Sequence, residues 1–82
     1  MNTRQAILDA IERIAPDVDT TTLPDDVDFR EEAGLDSMDF LGVLNTVRDA
    51  TGVEVPEIDY DAIRTVRQFS DYLDARVTAA EG

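Results

Sequence analysis

The segment Gly34–Asp39 places a serine hydroxyl between two carboxylates, with Asp36 directly before Ser37 and Asp39 shortly after it. A periodic apolar pattern starts at the same point, which predicts that Ser37 lies in the first turn of a helix. A helix N-terminus offers unpaired backbone N–H groups and the positive end of the helix dipole. A phosphate attached to the Ser37 hydroxyl would therefore be well placed.

Few other groups in the chain could do chemistry. The 82 residues contain no cysteine and no histidine, and all seven basic residues are arginine. The commonest general bases, thiol nucleophiles and Schiff-base amines are therefore absent. A disulfide framework and a thiolate metal site are excluded for the same reason. We expect no catalytic residue, no metal site and a role other than that of an enzyme.

The charge of the chain restricts its partners. A formal net charge of −12 argues against binding to nucleic acid and to anionic membranes, which both attract basic residues. It favours partners with basic patches, although it also keeps a small protein soluble. The N-terminus shows no apolar run of the signal-peptide type, and no window approaches a transmembrane length. We expect a cytoplasmic monomer.

The first half of the chain predicts one helix and a long loop. Apolar residues recur at helical spacing over residues 3–15, with Asn2 or Thr3 as the cap and Pro16 as the stop. A connection over residues 16–35 follows, with a short helical turn around 30–33 that ends at Gly34. We expect this loop to pack onto the rest of the protein through its apolar residues Val18, Leu23, Val27, Phe29 and Leu35.

The second half predicts three further helices. The first covers residues 37–51, with Asp36 as its cap and Gly52 at its end. A brief helix over 57–63 is built on Ile58, Tyr60 and Ile63. Thr65 and Gln68 have capping-box spacing and open a last helix through Val77, with a buried stripe of Val66, Phe69, Leu73 and Val77. The tail 78–82 is expected to fray.

The predicted fold is all-α: a small four-helix bundle of three main helices and one short helix, with a long first loop, in a single domain over residues 1–82. This order of elements, with Asp36-Ser37 at the start of the second helix, resembles the acyl carrier protein family of phosphopantetheine-dependent carrier domains. Phe29, six residues before Leu35, and the stretch from Gly52 to Pro56 also look like family features. The resemblance covers nearly the whole chain.

The resemblance implies a covalent cofactor on Ser37. A phosphopantetheinyl transferase, with a magnesium ion, would move 4′-phosphopantetheine from coenzyme A to its hydroxyl. Asp36 would serve both as N-cap and in transferase recognition, and Asp39 would be a further transferase contact. The arm would carry acyl groups as thioesters, supplied by a loading enzyme and consumed by a downstream synthase or transferase. The sulfur would come entirely from the cofactor, since the chain has no cysteine.

The second helix has a predicted core face and a predicted partner face. At 100° per residue, Phe40, Leu44, Val47 and Thr51 centre the core face, flanked by Val43 and Leu41. The opposite stripe contains Met38, Gly42, Asn45 and Asp49. Together with Asp39 we expect these to contact partners, with Met38 as an exposed, adaptable anchor. Nothing in the predicted core requires Gly42, so we expect it to admit a partner backbone.

The partner face also bears on the pathway. Carriers of general fatty-acid synthesis resemble one another in having a strongly acidic second helix. Here Gly42 and Asn45 occupy the middle of that face, with Arg48 nearby. This departure favours a specialised lipid or secondary-metabolite pathway, such as polyketide biosynthesis, over housekeeping fatty-acid biosynthesis.

Two alternatives to an acyl carrier remain open on the sequence. The same scaffold could carry aminoacyl or peptidyl thioesters, or it could be an unmodified acidic interaction module. Intact Asp36, Ser37 and Asp39 count against the unmodified module. A calcium loop beginning at Asp17 is rejected, because Thr22 replaces the required glycine and Asp28 the final glutamate.

Overall fold

The computed structural model describes residues 2–81, with side chains through Val77. Four α-helices cross this part of the chain: α1 (Thr3–Ile14), α2 (Phe29–Glu32), α3 (Ser37–Thr51) and α4 (Val66–Glu81). A 3₁₀ turn at Thr20–Thr22 lies in the first loop, and the segment Glu57–Ile63, here called the connecting 3₁₀ helix, joins α3 to α4. The described residues contain no β-strand, so the predicted all-α fold is confirmed. The predicted fraying of Thr78–Gly82 falls on residues outside those whose side chains are described.

Local capping residues begin and end the helices as predicted. The Asn2 side chain accepts a hydrogen bond from the Gln5 N–H at 3.0 Å at the start of α1. Thr65 and Gln68 form a reciprocal capping box at the start of α4, with distances of 3.0 and 3.2 Å. Gly52 ends α3 in the left-handed region at φ 75°, and its N–H donates to the Arg48 carbonyl at 2.7 Å.

The hydrophobic core lies where α1, α3 and α4 meet. α1 packs against both α3 and α4, and the connecting 3₁₀ helix packs against α4. Burying these apolar side chains is the main driving force for folding such a small chain. The largest fully buried side chains are Phe29, Phe69, Ile7, Ile11, Ile63, Leu73, Val43, Val47 and Val66.

The long first loop is anchored onto the bundle, as predicted. Its side chains Leu23, Phe29 and Leu35 are buried, and Val18 and Val27 are half-buried. The backbone is also tied to the start of α4. The Phe29 N–H donates to the Arg64 carbonyl at 3.1 Å, and the Arg67 N–H donates to the Asp25 carbonyl at 3.0 Å. These bonds fix the loop and the first residue of α2 beside the start of α4.

Two apolar side chains are more exposed than the sequence predicts. Leu41, expected to flank the core face of α3, is 42% exposed, and Ile58, expected to anchor the connecting 3₁₀ helix, is 89% exposed. Tyr60 and Ile63 hold this element instead. Tyr60 packs edge-on against Phe40 with ring centroids 5.3 Å apart, and Ile63 is fully buried. The Ile58 prediction is wrong because the connecting element is a 3₁₀ helix, which places its side chains on different faces from an α-helix. The Leu41 prediction is wrong because no neighbouring element covers that edge of α3 completely.

The prediction that Gly42 is exposed without a packing role is also wrong. Gly42 is half-buried, and a β-carbon there would lie 2.9 Å from Ile14 Cδ1 at the end of α1. This separation is below ordinary van der Waals contact, so the missing side chain lets Ile14 approach α3. The close approach that the glycine permits is therefore made within the chain itself.

We predict that Gly42 and Ile14 are energetically coupled. Gly42→Ala alone combines a helix-propensity gain of about 0.5–1 kcal/mol with the displacement of Ile14 Cδ1, so we expect little net change. The Ile14→Val variant lacks Cδ1, so the added β-carbon has no close neighbour there. In that background Gly42→Ala should raise the free energy of unfolding by the full helix-propensity difference. Urea unfolding of the four proteins gives the coupling free energy. Equal effects of Gly42→Ala in both backgrounds would show that the contact has no energetic weight.

A second stability prediction concerns Arg4 and Asp25, which join α1 to the long loop. Arg4 Nε donates to Asp25 Oδ2 at 2.9 Å, and a second guanidinium nitrogen donates to Oδ1 at 2.9 Å. These bonds hold the pKa of Asp25 below its ordinary value of 3.8. The stabilisation is thus present above that value and is lost as the pH falls through the lower pKa of the folded protein.

We therefore expect the free energy of unfolding to fall more between about pH 6 and pH 3 in the parent protein than in the Asp25→Asn variant, when both are measured in low salt. This difference between the two proteins should become smaller in high salt. Urea unfolding across this pH range measures it. Asp17→Asn is the matched control, because Asp17 is exposed and makes no ion pair or hydrogen bond with another described side chain. An identical pH profile for Asp25→Asn and the parent protein would contradict the assignment.

Candidate functional site

Ser37 is the first residue of α3 and is exposed to solvent. Its position is fixed from the preceding turn. Gly34 adopts φ 68°, and the Leu35 N–H then donates to the Arg30 carbonyl at 2.8 Å while its side chain is buried. Within residues 2–81, the Ser37 hydroxyl makes no side-chain hydrogen bond. A hydroxyl with this placement is accessible to a modifying enzyme.

The two carboxylates beside Ser37 form a capping box. Asp36 Oδ1 accepts from the Asp39 N–H at 2.8 Å, and Asp39 Oδ2 accepts from the Asp36 N–H at 3.3 Å. The predicted N-cap role of Asp36 is therefore confirmed. Each carboxylate uses one oxygen to hold the helix start, so the serine is presented on a rigid first turn.

A groove of about 350 Å³ opens beside Ser37, between the start of α3 and the connecting 3₁₀ helix. Phe40 forms part of its wall and is held between neighbours, with Tyr60 at 5.3 Å and the Arg30 guanidinium carbon 4.3 Å from its ring centroid. The lining thus combines apolar and aromatic side chains with two charged ones. The residues that line it together with Ser37 are Arg30, Phe40, Leu41, Glu57 and Tyr60.

Sequence reasoning missed this groove. Leu41 lies four residues after Ser37, so helical spacing alone could have placed the two on one side of α3. Glu57 and Tyr60 come from an element about 20 residues further on, and no local pattern predicts that they face Ser37. Arg30 reaches the site through the turn at Gly34, which the sequence indicated only as a helix end.

The stripe of α3 that the sequence predicts as a partner face is exposed in part. Met38 is 76% exposed, and Asn45 and Asp49 are also exposed. Asn45 and Arg48 line a smaller cleft of about 80 Å³ on the far side of Leu41. Gly42 lies toward α1 and Asp39 is half-buried, so neither extends this face as far as the sequence predicted. The exposed stripe therefore begins at Met38 and resumes at Asn45.

The fold and the site together define a small helical bundle with an exposed serine on the capped start of its second long helix. The family model described as "Phosphopantetheine attachment site" matches residues 5–73. Because this match covers most of the chain, the protein belongs to the acyl carrier family of phosphopantetheine-dependent carriers. Proteins of this family are carriers, not catalysts, and they hold 4′-phosphopantetheine as a covalently attached prosthetic group.

Curated relatives carry the corresponding name. The chain is 32% identical over 79 residues to "Acyl carrier protein" of Rubrobacter xylanophilus, covering 93% of this chain and 98% of the relative. It is 25% identical over 67 residues to "Acyl carrier protein, mitochondrial" of Saccharomyces cerevisiae, covering 82% of this chain and 54% of that protein. It is 36% identical over 52 residues to "Acyl carrier protein 2" of Pseudomonas aeruginosa, covering 63% and 66%. No solved structure matches the chain significantly.

The residues around Ser37 fit the family's cofactor. The hydroxyl is exposed and uncommitted, and the adjacent groove gives a flexible arm an apolar surface to follow. None of the helices in the described part of the chain is long and apolar enough to span a bilayer.

We predict that the two roles of Asp36 can be separated by substitution. Asp36→Asn keeps a good N-cap, whereas Asp36→Ala loses the bond to the Asp39 N–H and should cost about 0.5–2 kcal/mol of stability. If the carboxylate charge also serves transferase recognition, both variants should be modified several-fold more slowly than the parent. Thermal unfolding and the rate of mass gain provide the two measurements. Modification of Asp36→Asn at the parent rate would leave Asp36 with the capping role alone.

Proposed function

We propose that this protein carries acyl intermediates on a 4′-phosphopantetheine arm attached to Ser37, and delivers them to partner enzymes. The main support for Ser37 as the attachment residue is a comparison of the serines in the chain. The chain has two serines, and both fall within the residues matched by the family model. Ser37 is exposed on a capped helix start, whereas Ser70 is half-buried with its hydroxyl 2.8 Å from Thr3 Oγ1.

The proposed attachment is a phosphoryl transfer. The Ser37 oxygen attacks the pantetheine-side phosphorus of coenzyme A, forming an O–P bond as the phosphoanhydride bond breaks. The hydroxyl proton passes to a base of the transferase, and the nucleotide part of coenzyme A leaves. The attached arm supplies the thiol on which an acyl group is carried as a thioester. The chain contributes the rigid first turn, the accessible hydroxyl and the groove.

Cargo and pathway are the finer parts of the proposal. The exposed part of α3 carries Asn45 and Arg48 rather than a continuous row of acids, which supports a specialised lipid or secondary-metabolite pathway. Gly42 is not part of this exposed face, because it lies against Ile14 of α1. An aminoacyl or peptidyl cargo is the alternative on the same scaffold. Loading assays with adenylating enzymes for fatty acids and for amino acids would separate the two cargo classes.

The proposed partners follow from this cycle. They are a phosphopantetheinyl transferase, a loading enzyme and a downstream synthase or transferase, which meet the protein one at a time. Residues 1–82 act in this proposal as one carrier domain and as a monomer. A cytoplasmic location stays a prediction from the sequence.

We predict that incubation of the apo protein with coenzyme A, magnesium and a broad-specificity transferase adds the mass of one phosphopantetheine. Ser37→Ala should gain nothing, while the matched control Ser70→Ala should be modified like the parent. Intact-mass spectrometry measures all three. A folded parent protein that stays unmodified with several transferases would favour the unmodified interaction module, and modification of Ser37→Ala would place the arm elsewhere.

A further inference from the structure

Among the described residues, Arg13, Arg30 and Arg48 form no ion pair, and of these three Arg30 alone lies over an aromatic ring. Arg4, Arg64, Arg67 and Arg76 each form an ion pair with an aspartate. Arg30 has no carboxylate within ion-pair distance among the described residues, although the chain contains 19 acidic residues. Its guanidinium lies instead over the ring of Phe40, with 4.3 Å between the guanidinium carbon and the ring centroid.

Arg30 is held beside Ser37 by its backbone as well as by its side chain. Its carbonyl accepts the Leu35 N–H at 2.8 Å, two residues before Ser37. Its side chain is half-buried and lines the same groove as Ser37. Glu57 lines that groove too, but it does not come within ion-pair distance of Arg30. The structure therefore keeps a guanidinium without an ion pair in the groove that Ser37 also lines.

The stacked geometry leaves the guanidinium ready to bind an anion. A guanidinium that lies on an aromatic face still presents N–H donors from its edge, in a planar fork that matches phosphate oxygens. Stacking on the ring already restricts the rotamers of the Arg30 side chain. Less conformational entropy is therefore lost when its N–H groups bind an anion. The fixed anion of a phosphopantetheine arm is its phosphodiester, which is bonded directly to the serine oxygen.

We propose that Arg30 is a positioning residue that binds the phosphodiester of the arm on Ser37. This inference rests on the function proposed above. The contact would turn the first bonds of the arm toward the groove between α3 and the connecting 3₁₀ helix. The chain would thereby set the direction in which the arm leaves the surface.

The first test compares the apo and holo forms of the parent protein by NMR of the arginine Nε–H groups. We expect the Arg30 signal to shift on modification, and its exchange with water to slow about two- to five-fold, the size expected of an exposed ion pair. The Arg13 signal, from the end of α1, should not change. High salt should reverse the Arg30 effects.

The second test follows the phosphodiester itself by phosphorus NMR in three holo variants. Arg30→Gln should move the phosphorus signal toward that of free phosphopantetheine, and Arg30→Lys should move it part of the way. Arg13→Gln is the matched control, because it changes the net charge equally and Arg13 lines no part of the Ser37 groove. Circular dichroism establishes that each variant is folded, and the apo–holo comparison needs no variant.

The possible outcomes separate this inference from the proposed function. If Ser37 is never modified, the proposed function fails and takes this inference with it. If Ser37 is modified but the Arg30 signal and the phosphorus signal are unaffected, only this inference is overturned. An Arg30 response that appears only when the arm carries a carboxylate-bearing acyl group would also overturn it, because Arg30 would then bind cargo.

Discussion

The packing of Phe29 is the interaction on which the rest of the site depends. Its fully buried ring lies 6.1 Å from the ring of Phe40 on α3 and 6.1 Å from that of Phe69 on α4. It therefore joins the long loop to both helices. As the largest apolar side chain in this loop, it also buries more apolar surface than any other residue there can. Arg30 and Leu35 are placed by this anchor, and through Leu35 so is the turn that presents Ser37.

The predictable parts of this structure are those that a few neighbouring residues determine. The caps at Asp36 and Thr65 and the end at Gly52 were predicted correctly, and Asn2 is one of the two caps that the sequence allowed for α1. Each depends on hydrogen bonds within one turn. The motif around Ser37 belongs to this group. Its capping box is local, so the sequence alone indicates where the hydroxyl lies and which carboxylates hold the helix start.

The incorrect predictions share a different cause. Helical periodicity gives the direction of each side chain around its own axis, but it does not say which neighbouring element covers that direction. α1 covers the side of α3 that contains Gly42, and the connecting 3₁₀ helix leaves Leu41 partly open. The groove beside Ser37 arises from the same non-local packing. Its far wall, Glu57 and Tyr60, has no sequence signal that relates it to Ser37.

The distribution of charge explains how an acidic chain can keep a cation beside its modified serine. Asp25 and Asp26 of the long loop are engaged by Arg4 and Arg67, and Asp36 and Asp39 hold the start of α3. The carboxylates nearest in sequence to Ser37 are thus directed to backbone N–H groups, where they support the helix dipole rather than pair with a side chain. Near Arg30 itself, Asp28 accepts the Arg30 and Glu31 N–H groups, and Arg64 pairs with both Asp28 and Asp61. These carboxylates are thus engaged elsewhere, and the Arg30 guanidinium lies on the Phe40 ring, where its edge is available to an anion.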